Sequence, residues 1–395
     1  MNASPDTDVV VVGGGIGGLG GALALALARP GLRVRVLEQA ARFGEVGAGL
    51  QLAPNATRVL RGWGLLDDVV AHGVLPRRLV MRDAVDGREL THLDLADLER
   101  RYGAPYVVIH RGDLHAILLR ACRAEGVELV TDAEVRDVEL GSGRASAVTA
   151  DRRDTASIVV AADGLGSRLR ARISDDEPIS SAYVAYRGAV PVHELPGDPH
   201  LRDVVVHIGP RCHLVQYPLR RGELFNQVAV FRSARALAGE AEWGTPDELD
   251  AAFAATCAPV RDALPLLWRD RCWRMFDREP IDGWVDGRLV LMGDAAHPML
   301  QYLAQGACQA LEDAHSLATQ LTRHTGDGRV DWDGALRRYA EERSPRTARV
   351  QRTARRWGEL WHCDGLFRSV RNALLTDRDP ADYRHIDWLY QVGHQ

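Results

Sequence analysis

The residues Gly13-Gly14-Gly15-Ile16-Gly17-Gly18 follow the β-branched run 9–12 and open an Ala/Leu-rich stretch, with Glu38 twenty residues beyond the last glycine. Glycines at 13 and 15 let backbone approach a pyrophosphate. A helix beginning at Ile16, Gly17 and Gly18 presents unpaired N–H groups and the positive end of its dipole, and the Glu38 carboxylate can accept from ribose hydroxyls. The chemistry so encoded is dinucleotide binding, because the glycines lie between a strand and a helix. The fingerprint alone leaves FAD and NAD open.

Two other groups could do chemistry. Leu289, Val290, Leu291 and Met292 lead into Gly293-Asp294, then Ala295-Ala296-His297-Pro298 and a helical stretch opening at Gly306 and Ala307. At such a strand exit Asp294 could hydrogen-bond a ribityl chain while the helix amino terminus faces a flavin pyrimidine and favours its reduced anion. Alone, Gly-Asp would be no more than a turn leaving a strand. His213, Val215 and Tyr217 alternate, so on a strand they share one face while Leu214 and Gln216 take the other. Imidazole is the side chain most readily poised as a base near neutral pH, and Tyr217 can line the same pocket.

These groups must be carried by a small set of elements. Residues 9–38 read as one βαβ unit with strand 9–12, a helix to about 28 and strand 33–37. Asp113 is placed to cap an amphipathic helix with Leu114, Ile117, Leu118 and Ala121 on one face, and a strand over 128–138 follows. The short apolar runs 158–162 and 289–292, ending at Asp163-Gly164 and Gly293-Asp294, have the character of strands buried on both faces of a parallel sheet. Between them, residues 176–287 alternate apolar and polar positions, with turns at Gly209-Pro210 and Pro196-Gly197, which marks an inserted antiparallel sheet. Helices are expected over 306–324 and from 332, the second interrupted at Pro345. The class is therefore α/β. A Rossmann-like nucleotide domain is assembled from 1–75, 105–175 and 288–330, an antiparallel-sheet substrate domain from 76–104 and 176–287, and a C-terminal helical region from 331–395. Arginines at 343, 346, 349, 352 and 355 recur every third residue, drifting about 60° per step around a helix. They form no single stripe and are expected to face solvent or a second subunit rather than nucleic acid.

Composition removes several chemistries. All forty-nine basic side chains among the 395 residues are Arg, and the sequence has no Lys. Schiff-base nucleophiles, a pyridoxal phosphate anchor and the Lys of a phosphate-binding P-loop are thereby excluded. Fifty-four acidic residues give a net charge of −5, which offers no electrostatic case for nucleic acid or an anionic membrane. Six scattered Cys without a CxxC pair, and residues 1–8 without the basic region of a signal peptide, point to a cytoplasmic protein with reduced thiols and no membrane span. No metal site is expected.

Ala162-Asp163-Gly164 with Ser167 and Arg168 behind it, and Arg111-Gly112-Asp113-Leu114 at a helix start, join the glycine fingerprint and Gly293-Asp294 in one pattern. That pattern resembles the class A flavoprotein monooxygenases, aromatic hydroxylases that bind one FAD and use NADH or NADPH transiently, and the resemblance covers nearly the whole chain. It implies a Rossmann-like FAD-binding domain in which Glu38 holds the adenosine ribose and Arg111 reaches the FAD phosphates. By the same matching, Asp163 and Gly164 serve the pyrophosphate and nicotinamide side, and Asp294 the ribityl–pyrophosphate region. Arg42, Val46 and Gly47 lie near the flavin and Val135 beside adenine. The strings Ile208-Gly-Pro-Arg-Cys-His213-Leu-Val-Gln-Tyr217-Pro-Leu, Asp277-Arg-Glu-Pro-Ile281, His297-Pro-Met-Leu-Gln301-Tyr-Leu and Trp357-Gly-Glu-Leu-Trp-His362 resemble the 3-hydroxybenzoate 6-hydroxylase group of that family. Most relatives have Pro at the position of Gln301 and Asn at that of Cys308. The first departure points to this group, and the second leaves one flavin-side contact open.

The resemblance implies that reduced FAD and dioxygen form a C4a-hydroperoxide. His213 would withdraw the phenolic proton as oxygen is delivered para to the hydroxyl, converting 3-hydroxybenzoate to 2,5-dihydroxybenzoate (gentisate). Gln301 would orient the phenolic oxygen or the ring, and Tyr217 and Tyr106 would bind the carboxylate or close the pocket. Because these groups are uncharged, carboxylate recognition is expected to rest on hydrogen bonds rather than an arginine clamp. A salicylate-type or other phenol hydroxylase is the alternative within the family, and a nicotinamide-dependent dehydrogenase the alternative outside it. The partners expected are a small aromatic acid, dioxygen and a second copy of the chain, with Trp357, Trp361 and Trp388 at a homodimer contact.

Overall fold

In the computed structural model, which describes residues 7–44, 49–195 and 201–391, the apolar runs assemble into a six-stranded sheet. Its order is Val285–Asp286, Leu289–Leu291, Ile158–Ala161, Val9–Val12, Val34–Leu37, Glu128–Val130. All neighbours are parallel except the pair at the Val285 edge. Val9–Val12 and Ile158–Ala161 are buried throughout, as continuous apolar strands covered on both faces must be. Helix Ile16–Ala28 packs on helix Gly306–Arg323, and glycines set how closely it can pack. A Cβ on Gly20 would lie 3.3 Å from Leu311, and one on Gly21 2.8 Å from the Met292 sulfur. The small antiparallel sheet Asp137–Gly141, Arg144–Val148, Arg153–Ala156 packs against Ile158–Ala161 and Val9–Val12.

A second, seven-stranded sheet has the order Trp273–Asp277, Ile179–Pro191, Leu224–Arg232, Cys212–Leu219, Asp203–Gly209, Arg78–Asp83, Glu89–Asp94. The expected antiparallel insert holds except for one pair. Asp203–Gly209 runs parallel to Arg78–Asp83, because the latter enters from the earlier segment and not from a hairpin. The period-2 pattern divides this sheet into two faces. Val184, Tyr186, Leu214 and Phe231 form a separate apolar cluster with Leu249, Phe253 and Val260 from the helices Pro246–Phe253 and Ala258–Arg261. Ala185, Val204, Val206, Val215, Tyr217, Val228 and Val230 belong instead to the main core shared with the six-stranded sheet.

Four expectations about elements are corrected. The strand over 128–138 is two strands in different sheets, Glu128–Val130 and Asp137–Gly141, separated where Asp132 takes φ of 53°. Helix Arg111–Ala124 is capped by His110, whose Nδ1 accepts from Gly112 N at 3.1 Å; Asp113 lies in its first turn and pairs with Arg220. Helix Trp332–Trp361 runs through Pro345 unbroken, because tertiary contacts grip it on both sides of the missing N–H. Arg343 donates to Glu312 and Asp313, Ser344 to the Ile281 carbonyl, and Gln351 to the carbonyls of Arg278 and Pro298. The arginines of that helix accordingly do not simply face solvent or a partner. Arg346 pairs with Glu312, Arg355 with Asp277 and Glu279, and Arg349 stacks on Trp388 at 4.1 Å.

Candidate active site

The nucleotide cradle is built by the loop after Val9–Val12. Gly13 has φ of +104°, and a Cβ there would sit 2.4 Å from the Ala162 carbonyl oxygen, so only glycine fits. Gly18 carries its helix over the Gly13 carbonyl at a separation no Cβ would permit. Gly14 N donates to Glu38 Oε2 at 2.7 Å and Ala40 N to Oε1 at 2.8 Å, which fixes the carboxylate at the rim of the loop. His115, buried in helix Arg111–Ala124, brings Nε2 to 2.8 Å from the Gly14 carbonyl, a brace that sequence reading missed. Helix Ile16–Ala28, with Gly15 as its cap, has neither a side-chain cap bond nor an acidic residue in its first turn, so its N–H groups stay open. Gly17 lies in this opening turn against Ala310 and Gly293.

The other strand tips converge here. Asp163 follows Ile158–Ala161 and accepts from Ser167 Oγ at 2.6 Å, while burial raises its carboxyl above the usual value; Gly164 turns the chain with φ of +82°. Arg168 is exposed on Glu134, whereas buried Arg170 pairs with Asp176 and donates to the Ala295 and Ala296 carbonyls at 3.0 and 2.6 Å. Arg170 thus holds the turn at Gly293-Asp294, where Gly293 N donates to Asp313 at 3.0 Å. Asp294 is exposed beside the second open helix end, Gly306 and Ala307, with Oδ1 3.9 Å from the place of a Gly306 Cβ. Arg111 begins the helix that His115 ties to the Gly14 carbonyl. Val135 is buried in a segment whose Ala133 N donates to the Glu38 carbonyl. Arg42 is exposed beyond Val34–Leu37, next to Phe43, whose ring lies against Gly14; Val46 and Gly47 lie outside the described residues. A glycine cradle that a Cβ would fill, two open helix ends and carboxylates at both rims fit FAD.

The segment between Asp294 and Gly306 carries the cradle to the second sheet. Its turn Gln301–Leu303 places Tyr302 edge-on to the His213 ring at 5.6 Å. His213 stands on Cys212–Leu219, 1% exposed, with Trp361 at 5.1 Å and Nδ1 2.8 Å from His362 Nε2. Burial holds the His213 imidazole down to about 3, and the His362 ring well below its ordinary 6.5. His362 comes from the end of helix Trp332–Trp361, and sequence reading gave it no role. Trp361 is part of this intramolecular cluster and not of a surface contact, which corrects the expectation for that residue.

Tyr217, on the same face as His213, presses its ring so closely on Gly49 that a Cβ there would sit 2.4 Å away. Tyr106 donates to Gln51 Oε1 at 2.6 Å, and Gln51 also reaches the Tyr217 hydroxyl; burial raises both phenols above 10. Gly49 N donates to Asn226 Oδ1 at 3.0 Å, tying strand Gly49–Leu52 to the sheet face. Arg187 shares that face and was not singled out from the sequence. Cys308, buried with its thiol pushed up to about 12, points Sγ at the carbonyls of Gln51 and Ala304.

Cradle and sheet face together define a flavin-dependent enzyme class. The chain matches the FAD binding domain family over residues 6–354 and belongs to it. It is 39% identical over 392 residues to a 3-hydroxybenzoate 6-hydroxylase of Klebsiella oxytoca, covering 96% of each chain. It is 37% identical over 404 residues to a 3-amino-4-hydroxybenzoate 2-monooxygenase of Streptomyces cremeus, covering 98% of this chain and 95% of that one. Among solved structures, Klebsiella pneumoniae HpxO complexed with FAD and uric acid superposes with a TM-score of 0.83 at 25% identity, covering 98% and 96% of the two chains.

Proposed function

We propose that the chain is an FAD-dependent aromatic monooxygenase that uses NADH or NADPH to hydroxylate a phenolic acid, converting 3-hydroxybenzoate to gentisate. FAD, when bound, would supply the redox chemistry, with the nicotinamide as reductant and dioxygen as the source of the inserted oxygen atom. The glycine loop and the helix end at Ile16 hold the pyrophosphate, Glu38 the adenosine ribose, Arg111 the phosphates, and Asp294 with the helix end at Gly306 the ribityl–pyrimidine side.

The observation that carries the reading is the ring of His213. Its Nδ1 is engaged by His362, so Nε2 is the nitrogen left for a ligand. With Nδ1 donating to His362, Nε2 accepts the phenolic proton, and the phenolate so formed drives electron density onto the para carbon. Burial keeps the imidazole neutral, hence ready as a base, until negative charge develops on the phenol beside it. Gln301 has no side-chain hydrogen bond among the described residues and is free to orient the phenolic oxygen. Tyr217 and Tyr106, linked through Gln51, close the pocket's other end.

The test is NADH-driven oxygen consumption by the purified holoenzyme with each monohydroxybenzoate, products identified. Gentisate from 3-hydroxybenzoate in step with NADH oxidised is the expected outcome. Coupled conversion of salicylate instead would move the assignment to a salicylate-type hydroxylase, and no response to any phenol would overturn it.

A further inference from the structure

On the face that carries His213 and Tyr217, register places Arg187 opposite Val228, and Val228 opposite Val215. Arg187 therefore projects in the row midway between His213 and Tyr217, about 7 Å along the strand from each. Small residues surround it there: Ala185 and Ala189 flank it on its own strand, with Val228 and Val215 across the row. Its Nε is shut off from solvent and has no hydrogen-bond partner, and among the described residues no carboxylate pairs with its guanidinium. The Trp273 ring lies 5.3 Å from its guanidinium, and burial lowers its proton affinity, with the charges of Tyr217 and Arg111 acting on it as smaller influences. Arg187 is thus a half-buried cation with a buried, unpartnered Nε, and donors left in that state are costly unless an anion arrives to accept from them.

Asn226 repeats the pattern independently. It is fully buried, diagonal to Arg187 across the strand pair, and its Oδ1 is committed to Gly49 N, which fixes the amide orientation. Its Nδ2 is then a second buried donor with no acceptor. Two orphaned donors on one face call for a ligand group that only accepts.

We infer that Arg187, assisted by Asn226 Nδ2, is the anchor for the substrate's carboxylate, setting the enzyme's preference for aromatic acids over neutral phenols. This rests on the hydroxylase reading above. It replaces the expected all-neutral recognition with a charged one, and it lets the ring extend from the anchor toward His213. A guanidinium offers paired donors to a carboxylate, which neutral hydroxyls do not.

The test compares 3-hydroxybenzoate with its neutral isostere 3-hydroxybenzamide, in FAD-loaded wild type and Arg187→Gln, reading Kd from the flavin absorbance change. Wild type should bind the acid far more tightly than the amide. R187Q should weaken the acid about a hundredfold while leaving the amide within about threefold. An unchanged acid-to-amide ratio in R187Q, with wild type still making gentisate, overturns the anchor alone. Loss of FAD from R187Q with the ratio retained overturns it in favour of a flavin contact. Failure of wild type to use any hydroxybenzoate overturns the hydroxylase reading, and the anchor with it. Should R187Q not fold, wild type with benzoate and benzamide as competitors decides: tighter benzoate supports the anchor, and equal inhibition overturns it.

Discussion

In the proposed reaction His213 serves as the base, and burial holds its imidazole neutral in the free enzyme. Truncating it in His213→Ala should leave FAD content intact and slow hydroxylation by about two to four decades, measured in single turnovers of the reduced enzyme with oxygen. His362→Ala should cost about tenfold, because His213 Nδ1 would lose its hydrogen-bond partner and the ring its orientation. The pair also makes stability depend on pH. Both rings are depressed from 6.5, His213 to about 3, so the unfolded chain takes up protons that the folded chain excludes. Their contribution is full above 6.5 and is lost as the pH falls toward 3. Denaturant titrations between pH 8 and 5 should show stability falling, with a shallower slope in the double variant His213→Asn, His362→Asn. Gln301→Pro should uncouple NADH oxidation into peroxide or shift the hydroxylation site, and peroxide assays with product analysis check it. His213 and Tyr217 were legible in the sequence because strand alternation needs only neighbours. His362 was not, since its partner lies 149 residues away, and Arg187 was not, since only strand register puts it on their face.

At the scale of elements, the βαβ unit was legible almost to the residue. Its signals are local: a valine run, glycines a Cβ would obstruct, and an uncapped apolar helix. Gly13→Ala should therefore abolish FAD retention, since backbone and Ala162 both exclude the methyl; flavin absorbance of the purified variant measures this. The continuous helix through Pro345 was not legible, because propensity sees the missing N–H but not the buried ion network that overrides it. Arg343 joins Glu312 and Asp313 there, and Asp313 in turn holds Gly293 N and His297, the latter at 2.5 Å. Arg343→Met should leave two buried carboxylates undercompensated and destabilise the protein by about 3–5 kcal/mol in urea unfolding.

Across the whole molecule, the two sheets share one apolar core, and ties such as Tyr302 on His213, Gly49 under Tyr217 and Arg220 on Asp113 join the seven-stranded sheet to the elements around the cradle. The class of fold followed from the order of buried and alternating strands, but these ties pair residues far apart in sequence, and no local pattern announces them. Among the described helices none is long and apolar enough to cross a membrane. The exposed apolar side chains of the C-terminal region are Leu366, Phe367, Val370 and Leu374 on helix Gly365–Asp377 and not the tryptophans singled out from sequence. The proposed function requires that flavin and aromatic acid meet between the cradle and the His213 face. A crystal structure of the FAD-loaded enzyme with 3-hydroxybenzoate tests that most directly. The phenolic oxygen should lie within hydrogen-bond distance of His213 Nε2, with the flavin ring facing the para carbon; a substrate bound with its hydroxyl turned away from that nitrogen, or a flavin ring on the outer surface, would contradict it.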